Sequence, residues 1–403
     1  MKRAMALLLG FTMLWGLVGT AWASRPGVLT IWADSTRAPI LAELSPAFTA
    51  EFGIPVEVHE VPFGDIRARL GVAGPAGEGP DIIIGPHDWI GEFIADGLLE
   101  PLRFLEGIRD QFVPVSIEAF SSGGEIWGLP YLTEAIGILY NRDLVPAVPE
   151  TYAEFIALAR GLTDPEKGQF GFLTNIPQPD PFHSFPFFTA SGGYIFGLDE
   201  EGVLDPCDIG LATEGAIRGG HLILELITAG LVPVGTDYAA MTGLFNDGKA
   251  GMILTGPWAV ADARAAGINY GIAKLPAIEG QPMRPFVGVH GFMVSSFSAN
   301  KLLAMVFLQE FIVTKEAKLA LYEADPRNPA FLPALEVVAA DPEVAAWAAN
   351  EAVGIPMPSI PEMAAVWSAW ADALTLIVTQ QLSPEDALRD AVARISGLIG
   401  CPR

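Results

Sequence analysis

Cysteine is scarce in this chain, with only Cys207 and Cys401 among 403 residues. So few thiols exclude a Cys-based metal cluster and a disulfide-dense scaffold. The pair either closes one long bridge or remains as two free thiols. Histidine is sparse too: His59, His87, His183, His221 and His290 are scattered, with no H-E-x-x-H or Cys/His ligand spacing. No G-x-S-x-G, P-loop or G-x-G-x-x-G follows a strand where its chemistry requires one. Nothing here calls for a metal or a cofactor. Basic residues number 23 against 47 acidic, a net charge of −24, which argues against nucleic acid and anionic membrane surfaces as partners. Long apolar runs are missing beyond the amino terminus. The most apolar helix candidate, residues 302–313, carries Gln309 and Glu310 and is too short to span a bilayer.

The amino terminus holds the one exception. Lys2 and Arg3 precede an apolar run from Ala4 to Val18, and Ala21-Trp22-Ala23 supplies a small-x-small cleavage pattern. Residues 1–23 therefore read as a cleavable export signal. No cysteine follows the cleavage point, so no lipid anchor is expected. The expectation is a periplasmic protein, soluble after cleavage, with enough residues left for two domains. Export places Cys207 and Cys401 in an oxidising compartment, where a bridge is chemically accessible.

Behind the signal, strands and helices alternate. Residues 28–32 and 56–61 read as strands, 39–52 as a helix ending at Gly53, and 65–72 as a second helix. A third strand over 81–84 leads to a helix over 88–97. This βαβαβ order predicts an α/β fold with mostly parallel sheets, whose ligands sit beyond the carboxyl ends of the strands, near Asp34, Phe63 and residues 85–89. A second alternation follows the extended segment 134–140. It has helices over 151–160, 213–229, 258–266 and 362–380, a strand over 250–254, and a final helix opening at Ser383-Pro384. Residues 175–187, rich in proline and phenylalanine, read as an irregular loop.

Two residue classes carry candidate chemistry. Glu134 with Asp88 or Asp180 would serve as a glycosidase pair, although carboxylates are too abundant for that pairing to be specific. Nine tryptophans are more suggestive, several at predicted strand ends or helix starts, among them Trp89, Trp258, Trp367 and Trp370. A pyranose offers an apolar C–H face to flat aromatic rings and a belt of hydroxyls to carboxylates and guanidinium groups. Core packing is the alternative for each of these rings.

Colinear segments then point to one family. They include Gly79-Pro80-Asp81-Ile82-Ile83 leading to His87-Asp88, Glu134-Ala135, and Leu139-Tyr140-Asn141-Arg142-Asp143-Leu144. Gly192-Gly193-Tyr194, Thr236-Asp237-Tyr238, Phe245-Asn246 and Gly256-Pro257-Trp258 follow. Pro285-Phe286-Val287-Gly288-Val289 and Met357-Pro358 with Ile360-Pro361 complete the series. Over nearly the whole mature chain the sequence resembles the maltose/maltodextrin-binding proteins among the family 1 extracellular solute-binding proteins. The resemblance implies two lobes closing around a hinge. The N-lobe would comprise residues 27–134 and 290–338, and the C-lobe residues 137–287 and 342–403. The chain would cross near 133–137, 287–292 and 335–342. The resemblance also implies a monomer that binds an α-glucoside and passes it to the permease of an ATP-driven importer, with no reaction of its own.

Site residues carry over one at a time. Trp258 and Trp367 match family stacking tryptophans, and Asp88 and Glu134 match hydroxyl-binding carboxylates. Arg37 stands at a common family lysine and is the only cation the sequence reading places in the cleft. Asp180 replaces a glutamate and Phe182 a tyrosine, while Asp65 falls at a family glutamate that contacts longer ligands. His87 joins the candidates as the neighbour of Asp88. Thr36 replaces an aspartate, Gly85 a stacking tryptophan, Trp89 an arginine, Ser368 a tyrosine and Ala371 an arginine. Trp370, three residues beyond Trp367, is expected on the same helical face. These exchanges imply a pocket fitted to a compact disaccharide such as trehalose, or to several disaccharides, though lost stacking would equally open the cleft to a longer chain. Other solutes and an exported glycosidase are the rival readings.

Overall fold

The computed structural model describes residues 24–175 and 180–402; the expected export signal lies outside the described residues. Strand β1 (Leu29–Ala33) is buried along its whole length and is followed by helix α1 (Arg37–Phe52). The Asp34 carboxylate accepts the backbone N–H groups of Thr36 and Arg37, each at 3.0 Å, so the helix opens earlier than Pro39. It stops at Gly53, whose φ of 70° suits a residue without a Cβ. Strand β2 (Val56–Glu60), helix α2 (Phe63–Ala73) and strand β3 (Ile82–Pro86) follow, and both β2 and β3 pair with β1 in parallel. A 3₁₀ turn, His87–Trp89, leads into α3 (Ile90–Ala95).

The chain then enters a second layer system. Strand β4 (Leu129–Ala135) continues almost directly into β5 (Gly137–Asn141). Helix α4 (Tyr152–Leu162) is capped by Thr151, which accepts the N–H of Glu154. Next come β6 (Phe170–Leu173), α5 (Pro181–Thr189), α6 (Glu214–Thr228), β7 (Ala250–Thr255), α7 (Val260–Ala265) and β8 (Tyr270–Ala273). Strand β9 (Phe286–Ser295), buried throughout, returns to the first system, where β10 (Asn328–Pro329) lies. Helices α8 (Pro342–Glu351), α9 (Met363–Val378) and α10 (Pro384–Ile399) close the second.

The main sheet has the order β10-β4-β9-β3-β1-β2 and the second β8-β5-β7-β6. Parallel pairing holds among β1, β2 and β3 and between β6 and β7. Because β9 runs against both β3 and β4, and β5 against β7 and β8, the sheets are mixed rather than mostly parallel. Two apolar cores result, one drawn from residues 29–132 and 289–334, the other from 136–286 and 347–395. They form the N-lobe and C-lobe of a two-lobed α/β protein. Between the lobes, adjacent residues of α8 hold both sides. Asn350 bonds Ala273 O and the N–H of Leu275, while Glu351 accepts from Thr133 Oγ1 at 2.8 Å and Asn328 Nδ2 at 2.7 Å. Burial pushes the Glu351 carboxyl up to about 7.

One expected loop is corrected. Residues 181–187 lie within α5: Asp180 caps it by accepting the N–H of Phe182 at 2.9 Å, and Pro181 takes the first helical position. Pro186 costs that helix one internal hydrogen bond, which burial of Phe185, Phe187 and Phe188 offsets. The cysteines settle as a bridge, Cys207–Cys401, with Cα atoms 5.6 Å apart. It ties the strand Leu204–Ile209 to the chain just beyond α10.

Candidate functional site

Both lobes place Gly-Pro at or just beyond the end of a strand and follow it with a tryptophan. Gly85-Pro86 closes β3 before the turn that carries Trp89, and Gly256-Pro257 follows β7 and carries Trp258. In each case the indole lies on the bare glycine. A Cβ on Gly85 would sit 2.3 Å from the Trp89 ring, and one on Gly256 would sit 2.2 Å from the Trp258 ring. Trp89 thus occupies the space above residue 85 that a side chain there would need. Between the lobes these turns face a cleft of about 730 Å³.

Of the residues expected at the site, Thr36, Arg37, Asp88, Trp89, Glu134, Asp180, Phe182, Trp258 and Trp367 line this cleft. Four do not. Asp65 is exposed on α2 and pairs with Arg69 at 3.2 Å. His87 is fully buried, its Nε2 bonded to Met357 O at 3.0 Å and its Nδ1 accepting the N–H of Val289 at 3.2 Å. Ser368 is exposed beyond the cleft wall. Trp370 belongs to the C-lobe core, edge-on to Phe188 at 5.0 Å and Phe185 at 6.1 Å. Three residues of helix rotate it by about 60° from Trp367, enough to turn it inward.

Charged side chains are tied into networks beneath the wall. Arg37 pairs with Asp34 and bonds Tyr131 Oη. Glu134 accepts from His290 Nε2 at 2.9 Å and from Arg327 at 2.8 Å, and Arg327 also pairs with Asp325 at 2.9 Å. Burial alone would raise the Glu134 pKa, but His290, Arg327 and Arg37 outweigh it and hold the carboxyl well below its ordinary range. Burial and the nearby Arg37 lower His290 to about 4, so its imidazole is neutral at pH 7. Asp88 differs: burial pushes it up to about 6, opposed by the hydrogen bond from Trp367 Nε1 at 3.0 Å. Asp180 accepts from His183 Nδ1 at 2.8 Å, and burial notwithstanding, that partner keeps its pKa low. The Arg327 guanidinium lies 5.7 Å from the centre of the Trp258 ring, and Phe182 packs at 6.2 Å on the same indole.

His290 and Arg327 arrive on segments more than 150 residues from Glu134, and no local pattern announces them. Arg67, Asn175, His183 and Tyr238 also line the cleft. The cleft therefore has three arginines, not the single cation expected from sequence. Several of these side chains share one property. Asp88 Oδ1, Asn175 Oδ1, His183 Nε2, His290 Nδ1 and Arg37 Nη2 are buried without a hydrogen-bond partner among the described residues. With Nε2–H of His290 given to Glu134 and that imidazole neutral, its free Nδ1 is an acceptor. Among these unpaired atoms of cleft-lining residues, the acceptors Asp88 Oδ1, Asn175 Oδ1 and His290 Nδ1 outnumber the one donor, Arg37 Nη2, and a buried polar atom left unpaired is costly.

A family model for bacterial extracellular solute-binding proteins matches residues 43–352. The chain belongs to that family. The family, and the relatives and solved structure the chain resembles, are solute-binding proteins rather than enzymes. Among curated relatives of this solute-binding protein, the galactooligosaccharide-binding protein of Bacillus subtilis is 33% identical, over 94% of this chain and 90% of the relative. The maltotriose-binding protein of Pyrococcus abyssi is 31% identical, over 75% of this chain and 66% of the relative. Among solved structures, the Thermus thermophilus maltotriose binding protein bound with maltotriose superposes with a TM-score of 0.86 at 36% identity, over 92% of this chain and all of that one. Among the described residues, no helix is long and apolar enough to cross a membrane, and no group of His, Cys, Asp and Glu is placed to hold a metal.

Proposed function

We propose that this chain is the oligosaccharide receptor of an ATP-driven importer, taking an α-linked glucoside of two or three rings between its lobes. The observation that carries the reading is the surplus of buried acceptors in a cleft walled by tryptophans. Its ligand must donate several hydrogen bonds and present apolar faces, which is the surface of a pyranose. Four carboxylates and three arginines among the described residues line the cleft, several paired to one another, so no single-sign charge selects an ionic ligand. The relatives named for maltotriose support an α-glucoside; the one named for galactooligosaccharides favours a galactoside as the second reading.

In this reading residues 27–134 and 290–338 form one lobe and residues 137–287 and 342–403 the other, hinged at three crossings. The Asn350–Glu351 pair would be the pivot, since each residue grips a different lobe. Closure draws only on the difference in ligand affinity between open and closed forms. The protein would act as an exported monomer, periplasmic, releasing its sugar to the permease unchanged.

Intrinsic tryptophan fluorescence of ligand-stripped protein, titrated with maltose, maltotriose, trehalose, sucrose, glucose and a galactotriose, tests this. Saturation by a di- or trisaccharide, with the sugar recovered intact by chromatography, is the expected result. Cleavage of the sugar would make the protein a hydrolase, and indifference to the whole panel would remove sugars from the cleft.

A further inference from the structure

Phe63 is the first residue of α2 and is 44% exposed. It stands on the cleft rim with Gly64 and Arg67. Its ring centre lies 5.3 Å from that of Trp89, at a tilt of 39°. Trp89 is fixed from below: it rests on Gly85, packs edge-on to Phe93 at 6.0 Å, and is only 6% exposed. Phe63 therefore extends a rigid aromatic wall outward to solvent. Beside it the rim is open, since a Cβ on Gly64 would meet no atom within 4 Å. One turn along the helix, half-buried Arg67 lies 3.5 Å from Glu92.

A flat ring with no hydrogen-bonding group, next to free space and a guanidinium, suits the C–H face of a pyranose whose hydroxyls reach the cation. We infer that Phe63 is the outer stacking platform for the terminal ring of a trisaccharide, and so sets the chain length the cleft prefers. This rests on the sugar-receptor reading. The inner two rings lie against Trp89, Trp258 and Trp367, and the third projects over Phe63 toward solvent. Because Phe63 adds little to the core, its replacement leaves the lobes folded.

The test compares the full chain with Phe63→Ala and Phe63→Trp, by calorimetric titration with maltose and with maltotriose. Phe63→Ala should weaken maltotriose about tenfold and change maltose by less than about twofold, whereas Phe63→Trp should retain both. Equal loss of the two sugars, or loss of neither, overturns the inference. Disaccharide binding by the parent with no trisaccharide binding also overturns it, while sparing the receptor reading. A parent that binds no sugar would instead overturn the receptor reading and this inference with it.

Discussion

Trp367 donates its indole N–H to Asp88 at 3.0 Å, a hydrogen bond from the C-lobe to the N-lobe across the cleft. The same carboxylate keeps its other oxygen buried and, among the described residues, unpartnered. One residue therefore links the lobes and offers an acceptor to whatever lies between them. Trp367→Phe removes the indole N–H and part of the ring surface, and should weaken ligand binding by roughly 1–2 kcal/mol, as read by calorimetry.

Asp88 also carries a pH signature. Its folded-state pKa is raised from 3.8 to about 6 by burial. A raised group stabilises the fold fully below its unfolded value, and that contribution is lost as pH rises through about 6. Asp88→Asn should therefore match the parent in stability near pH 4 and exceed it at pH 7 by roughly 2–3 kcal/mol. The same variant should bind its sugar more weakly at pH 7. Denaturant midpoints at the two pH values check the sign.

Trp258 faces Arg327 and Phe182 and lines the cleft from the C-lobe. Trp258→Ala should cost about 2 kcal/mol of binding, some thirtyfold in Kd, with the circular dichroism spectrum unchanged.

Lys318 is buried in the N-lobe, donating to Pro130 O at 2.9 Å above the Phe292 ring. Burial lowers its pKa from 10.5 to about 7. The folded state then binds fewer protons than the unfolded state between those values, so stability rises with pH across that window. Lys318→Met should flatten this rise and be the more stable protein at pH 7, which thermal melts at pH 7 and 9.5 will show.

The Cys207–Cys401 bridge closes a loop with a sequence separation of 194. In the chain-entropy model such a loop contributes roughly 5 kcal/mol. The Cys207→Ser, Cys401→Ser double variant should melt well below the parent. In the parent, alkylation under denaturing conditions should add mass only after reduction.

Local chemistry made much of the fold readable. Gly53 ends α1, Thr151 caps α4 and Ser383 caps α10, each through its own backbone or side chain. Where the reading failed, a longer-range term was decisive. Two prolines and four phenylalanines in residues 181–188 suggested a loop, yet the Asp180 cap and burial against Phe286 and Trp370 hold a helix. The resemblance to a known family supplied nine of the residues that line the cleft, but Trp370 shows the limit of helical spacing: a narrow rotation separates wall from core. Arg327 and His290 meet Glu134 only through the return of β9 and the segment before β10, which no spacing in the sequence encodes.

The proposed function requires a neutral sugar to fill the cleft between Trp89 and Trp258. Calorimetric titration of ligand-stripped protein with maltotriose, beside the Trp258→Ala variant, tests it most directly. Saturable one-to-one binding at about micromolar Kd or tighter is expected, weakened roughly thirtyfold in the variant. Equal affinity in both proteins would contradict it by placing the sugar elsewhere, and no saturable heat with maltotriose or any other sugar of the panel would contradict it outright.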